Sequence, residues 1–286
     1  MLSIGLIGEI KSLNPYIKRI KLNPKIHISG KSSFGLTMHE DDLRLSIPEF
    51  NRIELVERSD ILLINRFTLI PYSLLRDIIK KTKHIFTTEY PDLSKDQFDE
   101  LIKLTGEAEV IFQLANPLFN NPAIRWMNDN FKAPAFMDIS FFNDEPDEKK
   151  KILDLLLMLH NITGVIPKKT DAISFQSKEA QLKFNNLRLD FGNATIINLN
   201  TGKKEDQEFI IKIYSPGKTA VLNFTEESYL YNNSRIDLEA YAGYDEFDKF
   251  IENILSKTRP ATTLDDYITI LNTFRRIETK LNQFSV

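Results

Sequence analysis

The sequence predicts an α/β protein: a doubly wound parallel sheet in the N-terminal part, then an α+β domain with an open, mainly antiparallel sheet. Three observations carry this. Short apolar runs alternate with amphipathic helix patterns up to residue 118. From residue 171 to 232 only strand signals occur. Two helix patterns then close the chain. Short buried strands alternating with helices indicate a parallel sheet covered on both faces.

Residues 2–7, LSIGLI, read as a buried strand closed by Gly8. Asn14-Pro15 reads as a helix start, with Asn14 as cap and Pro15 at the first helical position. Tyr16, Ile17 and Ile20 share one face of that helix. A second strand, KIHIS at 25–29, is expected to stop at Gly30, and DILLIN at 60–65 is a third. Pro71 opens a helix carrying Leu74, Leu75, Ile78 and Ile79. The strand KHIFT at 83–87 follows. Ser94 caps a helix with Phe98, Leu101, Ile102 and Leu104 inward, and EVIFQL at 109–114 ends the alternation. This is a Rossmann-like pattern. Beyond it, PAFMDISFF at 134–142 is a strand. Residues 147–160 are a helix burying Ile152, Leu155, Leu156 and Leu159, stopped by Gly164. The strands DAISFQ, QLKFNNLRLDF, ATIINLN, EFIIKIYS, TAVLNF and SYLYNN come next, with Gly192, Gly202 and Gly217 at turns. Helices at about 243–256 and 263–282 finish the chain, the last opened by Thr263 with Asp266 three residues on. The expected domains are 1–118 and 119–286, with the last helix packing back on the first.

Composition excludes several function classes. Net charge is −3 and the pI about 5.9, so there is no basic field for nucleic acid or anionic lipid. The chain has no cysteine, which removes thiol catalysis, disulfides and cysteine metal sites. His27, His39, His84 and His160 have no metal-ligand spacing, so no metal is expected. Asp41-Asp42 and Asp144-Glu145-Pro146-Asp147 read as acidic surface loops. No apolar run reaches the roughly 18 residues of a membrane span, and no leader-like segment precedes the first strand. A cytoplasmic protein is expected.

The order of elements resembles the Gfo/Idh/MocA oxidoreductases, the glucose–fructose oxidoreductase and inositol dehydrogenase group. DILLIN is similar to the family's strand entering the cofactor cleft, and KHIFTTEYPDLS at 83–94 to its KHVFxEKPLAxS segment. EVIFQLANPLFNNPAIRWM at 109–127 follows in the family's order, read as continuing from the strand. ILDLLLMLHNITG at 152–164 is similar to its xxDLLxxLxG helix, and the segment from Gly243 to Leu281 to its C-terminal signature. The resemblance spans nearly the whole chain.

That resemblance implies NAD or NADP as cofactor and a set of site positions. The family's phosphate loop is G-x-G-x-x-G/A, in which each glycine admits backbone or pyrophosphate. Counted from Gly8, the second and third positions are Ile10 and Leu13. Ile10 is expected to stand where phosphate oxygens go, with Lys11 as a substitute donor for a displaced phosphate. The second strand lacks the acid that accepts from ribose hydroxyls. Its tip holds Ser29, Lys31 and Ser32, a set suited to a 2′-phosphate and hence to NADP. GKSS there also mimics the end of a P-loop, but Lys25 stands where that motif needs glycine. For the family's EKP lysine two registers are open. Ungapped, Glu89 takes the lysine position; with one inserted residue, Tyr90 does. If Asp154 is the family's helix aspartate, its acid–base histidine corresponds to Lys151. Lys149-Lys150-Lys151 reads as a solvated helix start, although a buried lysine can serve as acid–base.

The expectations divide accordingly. The leading one is a relative that has lost hydride transfer and acts as a binding or scaffold subunit, a homo-oligomer through its C-terminal sheet or joined to another protein. A second is an active NAD(P)-dependent oxidoreductase on a sugar-like or other small hydroxy or carbonyl substrate, using Lys151, Tyr90 or Glu89. A third is a small-molecule sensor using the cleft between the two domains.

Overall fold

A computed structural model describes residues 1–33, 47–144, 147–177, 182–203, 206–260 and 262–283. His39, Asp41, Asp42, Glu145 and Pro146 lie outside the described residues. The chain forms two compact units. One comprises Met1–Ala115 with Asp245–Ile268, the other Asn116–Tyr244 with Thr269–Val286. The first unit is thus completed by a segment from late in the chain.

In the first unit, five parallel strands lie in the order β2-β1-β3-β4-β5. They are β1 Leu2–Gly8, β2 Ile26–Ser33, β3 Ile61–Ile64, β4 His84–Thr87 and β5 Phe112–Leu114. The helices between them are α1 Asn14–Leu22, α2 Arg52–Glu57, α3 Tyr72–Lys80 and α4 Lys95–Glu107. One face of the sheet is closed by α1 and by α7, Glu246–Ser256. There Ile4, Leu6, Ile61, Leu63 and Phe86 meet Leu13, Ile17, Phe247 and Phe250, all essentially buried. Each such side chain contributes about 1.5–3 kcal/mol. The expected capping of α4 is present: Ser94 accepts from the Gln97 amide, and Gln97 reaches back to the Ser94 amide.

Two expectations in this unit are corrected, and one element is new. Asn14 is the first helical residue rather than the cap. The cap position is Leu13, which has no side-chain acceptor, and Pro15 is in the first turn. Gly30 does not end β2. The strand bulges at Ser29 and runs on to Ser33, because Lys31 N–H donates to Pro48 O and Phe50 N–H to Lys31 O. Gly30 is needed there, since a Cβ would lie 2.5 Å from the Phe50 ring. The short helix α2 has no counterpart in the sequence reading. Its cap, Asn51, accepts from the Glu54 amide at 2.9 Å.

In the second unit, β6 Phe136–Asn143, β7 Lys169–Ser177, β8 Leu182–Asp190, β9 Ile196–Lys203, β10 Glu208–Ser215, β11 Lys218–Asn223, β12 Ser228–Tyr231 and β13 Ser234–Arg235 form one sheet. Its order is β13-β12-β11-β10-β6-β9-β8-β7. All pairs are antiparallel except β6 with β9. Helix α5, Pro122–Asn130, was expected to continue a strand. Instead β5 ends at Leu114, and Asn121 with Pro122 starts a helix. Helix α6, Glu148–Thr163, buries Ile152, Leu155, Leu156 and Leu159 as expected. Gly202 lies within β9, not at a turn. The final helix α8, Leu264–Gln283, begins with the expected reciprocal pair, Thr263 N–H donating to Asp266 Oδ2 at 2.9 Å. Compact-unit division falls within it, after Ile268.

Candidate functional site

Open parallel sheets place ligands at the carboxyl ends of their strands. At the end of β1, Gly8 has φ +125°, a conformation that L side chains rarely adopt. The Asn65 side chain, at the end of β3, grips the next residue twice. Its Oδ1 accepts from Glu9 N–H at 2.9 Å and its Nδ2 donates to Glu9 O at 2.8 Å. The turn then closes on itself: Leu13 N–H donates to Ile10 O and Asn14 N–H to Lys11 O. Pro15 has no N–H. The Glu9 carboxylate accepts from Ser12 Oγ at 2.9 Å. Ile10 is half-buried and packs against the core, and Leu13 is buried within it. The side chains at the second and third glycine positions of the motif are therefore packing groups.

At the tip of β2 the three residues expected to act together are separated. Ser29 Oγ is 2.8 Å from Ser59 Oγ. Lys31 is buried, and its Nζ lies 3.7 Å from Glu49 Oε2. Ser32 is buried and lines a cavity on the side of α2 and α3. The strand carries no acid of its own, but Glu49 brings one alongside. Its Oε1 accepts from Ser33 N–H at 2.7 Å and from Ser33 Oγ at 2.8 Å.

After β3 and β4 stands an ion group that the sequence reading missed. Arg66 Nη2 is 3.5 Å from Glu9 Oε2, and Arg66 Nη1 is 3.9 Å from Glu89 Oε1. The other Glu89 oxygen accepts from Phe67 N–H. Tyr90 stacks flat on the buried Tyr267 ring, centroids 5.0 Å apart. A polar residue closing an otherwise apolar strand, as Asn65 closes DILLIN, was the available signal for this end of the sheet. In α1 nearby, burial first and the Glu246 and Asp245 carboxylates next push the Tyr16 hydroxyl far above the ordinary tyrosine range.

In the second unit, Lys151 corrects the solvated-helix expectation. Lys149 is exposed, but Lys151 is only 4% exposed. Its Nζ donates to Gly202 O at 3.2 Å and sits 5.5 Å from the Phe141 ring centre. Asp154, one turn on, is paired with Lys150 at 2.8 Å, and its carbonyl accepts from Asn116 Nδ2. His84 opens β4, its Nδ1 accepting from Ile111 N–H at 3.0 Å; His160 lies near the end of α6. Among the described residues no group of three or more His, Cys, Asp or Glu could hold a metal ion. No helix there is long and apolar enough to cross a membrane.

No protein-family model and no curated protein matches the chain. Solved structures do. The UDP-N-acetylglucosamine 3-dehydrogenase GnnA from Acidithiobacillus ferrooxidans superposes with TM-score 0.80 at 15% identity, covering 99% of this chain and 98% of that one. A probable dehydrogenase from Thermotoga maritima gives TM-score 0.78 at 18% identity, covering 99% and 97%. The biliverdin reductase from Synechocystis sp. PCC 6803, solved with biliverdin and NADP+, gives 0.75 at 10% identity, covering 98% and 99%. A myo-inositol 2-dehydrogenase from Lactobacillus plantarum is also similar, with TM-score 0.76 at 12% identity and coverage of 98% and 97%. At these identities the likeness concerns the fold, and the chain has the fold of the Gfo/Idh/MocA oxidoreductases.

Proposed function

We propose that this oxidoreductase-like protein has lost hydride transfer and acts as a binding or scaffold subunit. One observation carries the reading: the β1–α1 turn spends its own polar groups on itself. Glu9, Leu13 and Asn14 N–H groups donate within the chain, Asn65 pins the turn, and the Glu9 carboxylate beside it accepts from Ser12 Oγ and faces Arg66. These bonds support a turn that receives no dinucleotide pyrophosphate. Glu89 and Tyr90, the two candidates for the lysine position, are held by Phe67 N–H and by Tyr267.

The test is titration with NADH and NADPH, read by calorimetry and nicotinamide fluorescence. The reading expects no saturable binding below about 1 mM, an affinity under about 4 kcal/mol. Micromolar binding would overturn it.

The partner in this reading is a second copy joined through the C-terminal sheet. Ile173, Phe175 and Tyr214 are each more than 40% exposed, on strands whose alternate residues are buried. A second reading, an active NAD(P)-dependent oxidoreductase, is favoured by the burial of Lys151, which brings a candidate acid–base group out of water. That reading requires a measurable turnover that Lys151→Ala abolishes. Unchanged turnover removes the residue from the mechanism.

A further inference from the structure

We propose that a cavity in the first unit, walled by α2, α3 and the end of β2, binds a small organic monophosphate. The cavity has a volume of about 740 Å³, within the range of small-molecule sites. Ile53, Val56 and Leu74 give it apolar walls.

Its donors are unspent. Helix α3 has nine residues, and its cap position is Pro71, which supplies no side-chain acceptor. Leu75 N–H is the first to bond back, to Pro71 O, so the Tyr72, Ser73 and Leu74 amides precede the hydrogen-bonded ladder. Arg52 lines the cavity and makes no ion pair or hydrogen bond among the described residues. Ser32 is 8% exposed, and its hydroxyl has no partner there either. Ser73 adds a second unpartnered hydroxyl. A guanidinium fork, helix-terminal amides and two hydroxyls suit the three terminal oxygens of a phosphate monoester better than the two of a carboxylate.

The remaining charges orient the ligand. Asp77 lines the cavity further along α3, and Lys81 beyond it is paired with Glu57. The phosphate therefore sits at the N-terminal end of α3 with Arg52, and the apolar body lies against Val56 and Leu74. The ligand is a whole small molecule rather than the end of a dinucleotide, because the β1–α1 turn offers no continuation for a pyrophosphate.

The test uses the full chain labelled with nitrogen-15, phenyl phosphate as probe, and inorganic phosphate, benzoate and NADPH as comparisons. Phenyl phosphate should shift the amides of Ser32, Arg52 and Tyr72–Leu74 saturably. It should bind at least about tenfold more tightly than inorganic phosphate or benzoate. Arg52→Gln should weaken it about tenfold without changing the melting temperature, since Arg52 holds nothing in the fold. Leu74→Glu should abolish binding by placing a carboxylate in the cavity. No saturable shift overturns the proposal, as does equal binding by Arg52→Gln. Inorganic phosphate binding as tightly as phenyl phosphate reduces the site to a bare helix terminus and also overturns it. NADPH shifts spreading from the cavity to Gly8–Asn14 would make it the far end of a dinucleotide site, overturning both this proposal and the loss of hydride chemistry. Absent phenyl phosphate binding alone leaves the latter untouched.

Discussion

Replacing Gly8 with alanine tests how firmly the β1–α1 turn is locked. The new Cβ would stand 1.8 Å from Asn65 Oδ1, so the Asn65 side chain must leave. That removes its bonds of 2.9 and 2.8 Å to Glu9, each worth about 0.5–1.5 kcal/mol net. The backbone at φ +125° adds strain of about 1–3 kcal/mol for any residue with a Cβ. Gly8→Ala should therefore cost about 2–6 kcal/mol. In an Asn65→Ala background the bonds are already gone, and only the strain remains. The double-mutant cycle should then show a coupling of about 1–3 kcal/mol, the worth of the lost bonds. Urea unfolding followed by circular dichroism gives the four stabilities, and hydrogen exchange at the Glu9 amide reports the turn itself. Additive costs, with coupling below about 0.5 kcal/mol, would refute the lock.

Three further outcomes are expected. His84 is held neutral: burial lowers its pKa below the ordinary 6.5, and its Nδ1 must stay unprotonated to accept from Ile111. The unfolded chain takes up that proton more readily, so stability is full above about pH 6.5 and falls as pH drops below it; His84→Phe should flatten melting curves compared between about pH 7.5 and 5.5. Thr262→Val removes a buried hydroxyl that donates to Leu114 O at 2.6 Å and should cost about 1–3 kcal/mol by urea titration, with no change in volume to blame. Phe175→Glu places charge on the exposed face of β7 and should turn a dimer into a monomer in sedimentation, whereas a chain that is monomeric from the outset removes the sheet as its interface.

Elements signalled by local chemistry were legible in the residues. Ser94 as a cap and Thr263 with Asp266 three positions on are read from the residues, and the structure forms both, adding Gln97 as the reciprocal partner of Ser94. Helix α2 escaped because its six residues are too few to display a period. Helix α5 escaped because Asn116-Pro117 and Asn121-Pro122 look alike in the sequence, and only the second opens an α-helix. Lys151 misled through its neighbours in a charge run. Its helical phase told otherwise, since Leu155 lies one turn on along the buried stripe.

The sequence by itself determined the fold class, because strand and helix periods are properties of short stretches and their order admits few topologies. It also determined that the motif glycines at positions 10 and 13 are absent. Only the tertiary structure decided what replaced them. Asn65 grips Glu9 from 56 residues away, Glu49 reaches the tip of β2 from another segment, and Arg66 meets carboxylates from two strand ends. A parallel sheet gathers the carboxyl ends of distant strands at one edge, and no local pattern records which side chains will meet there.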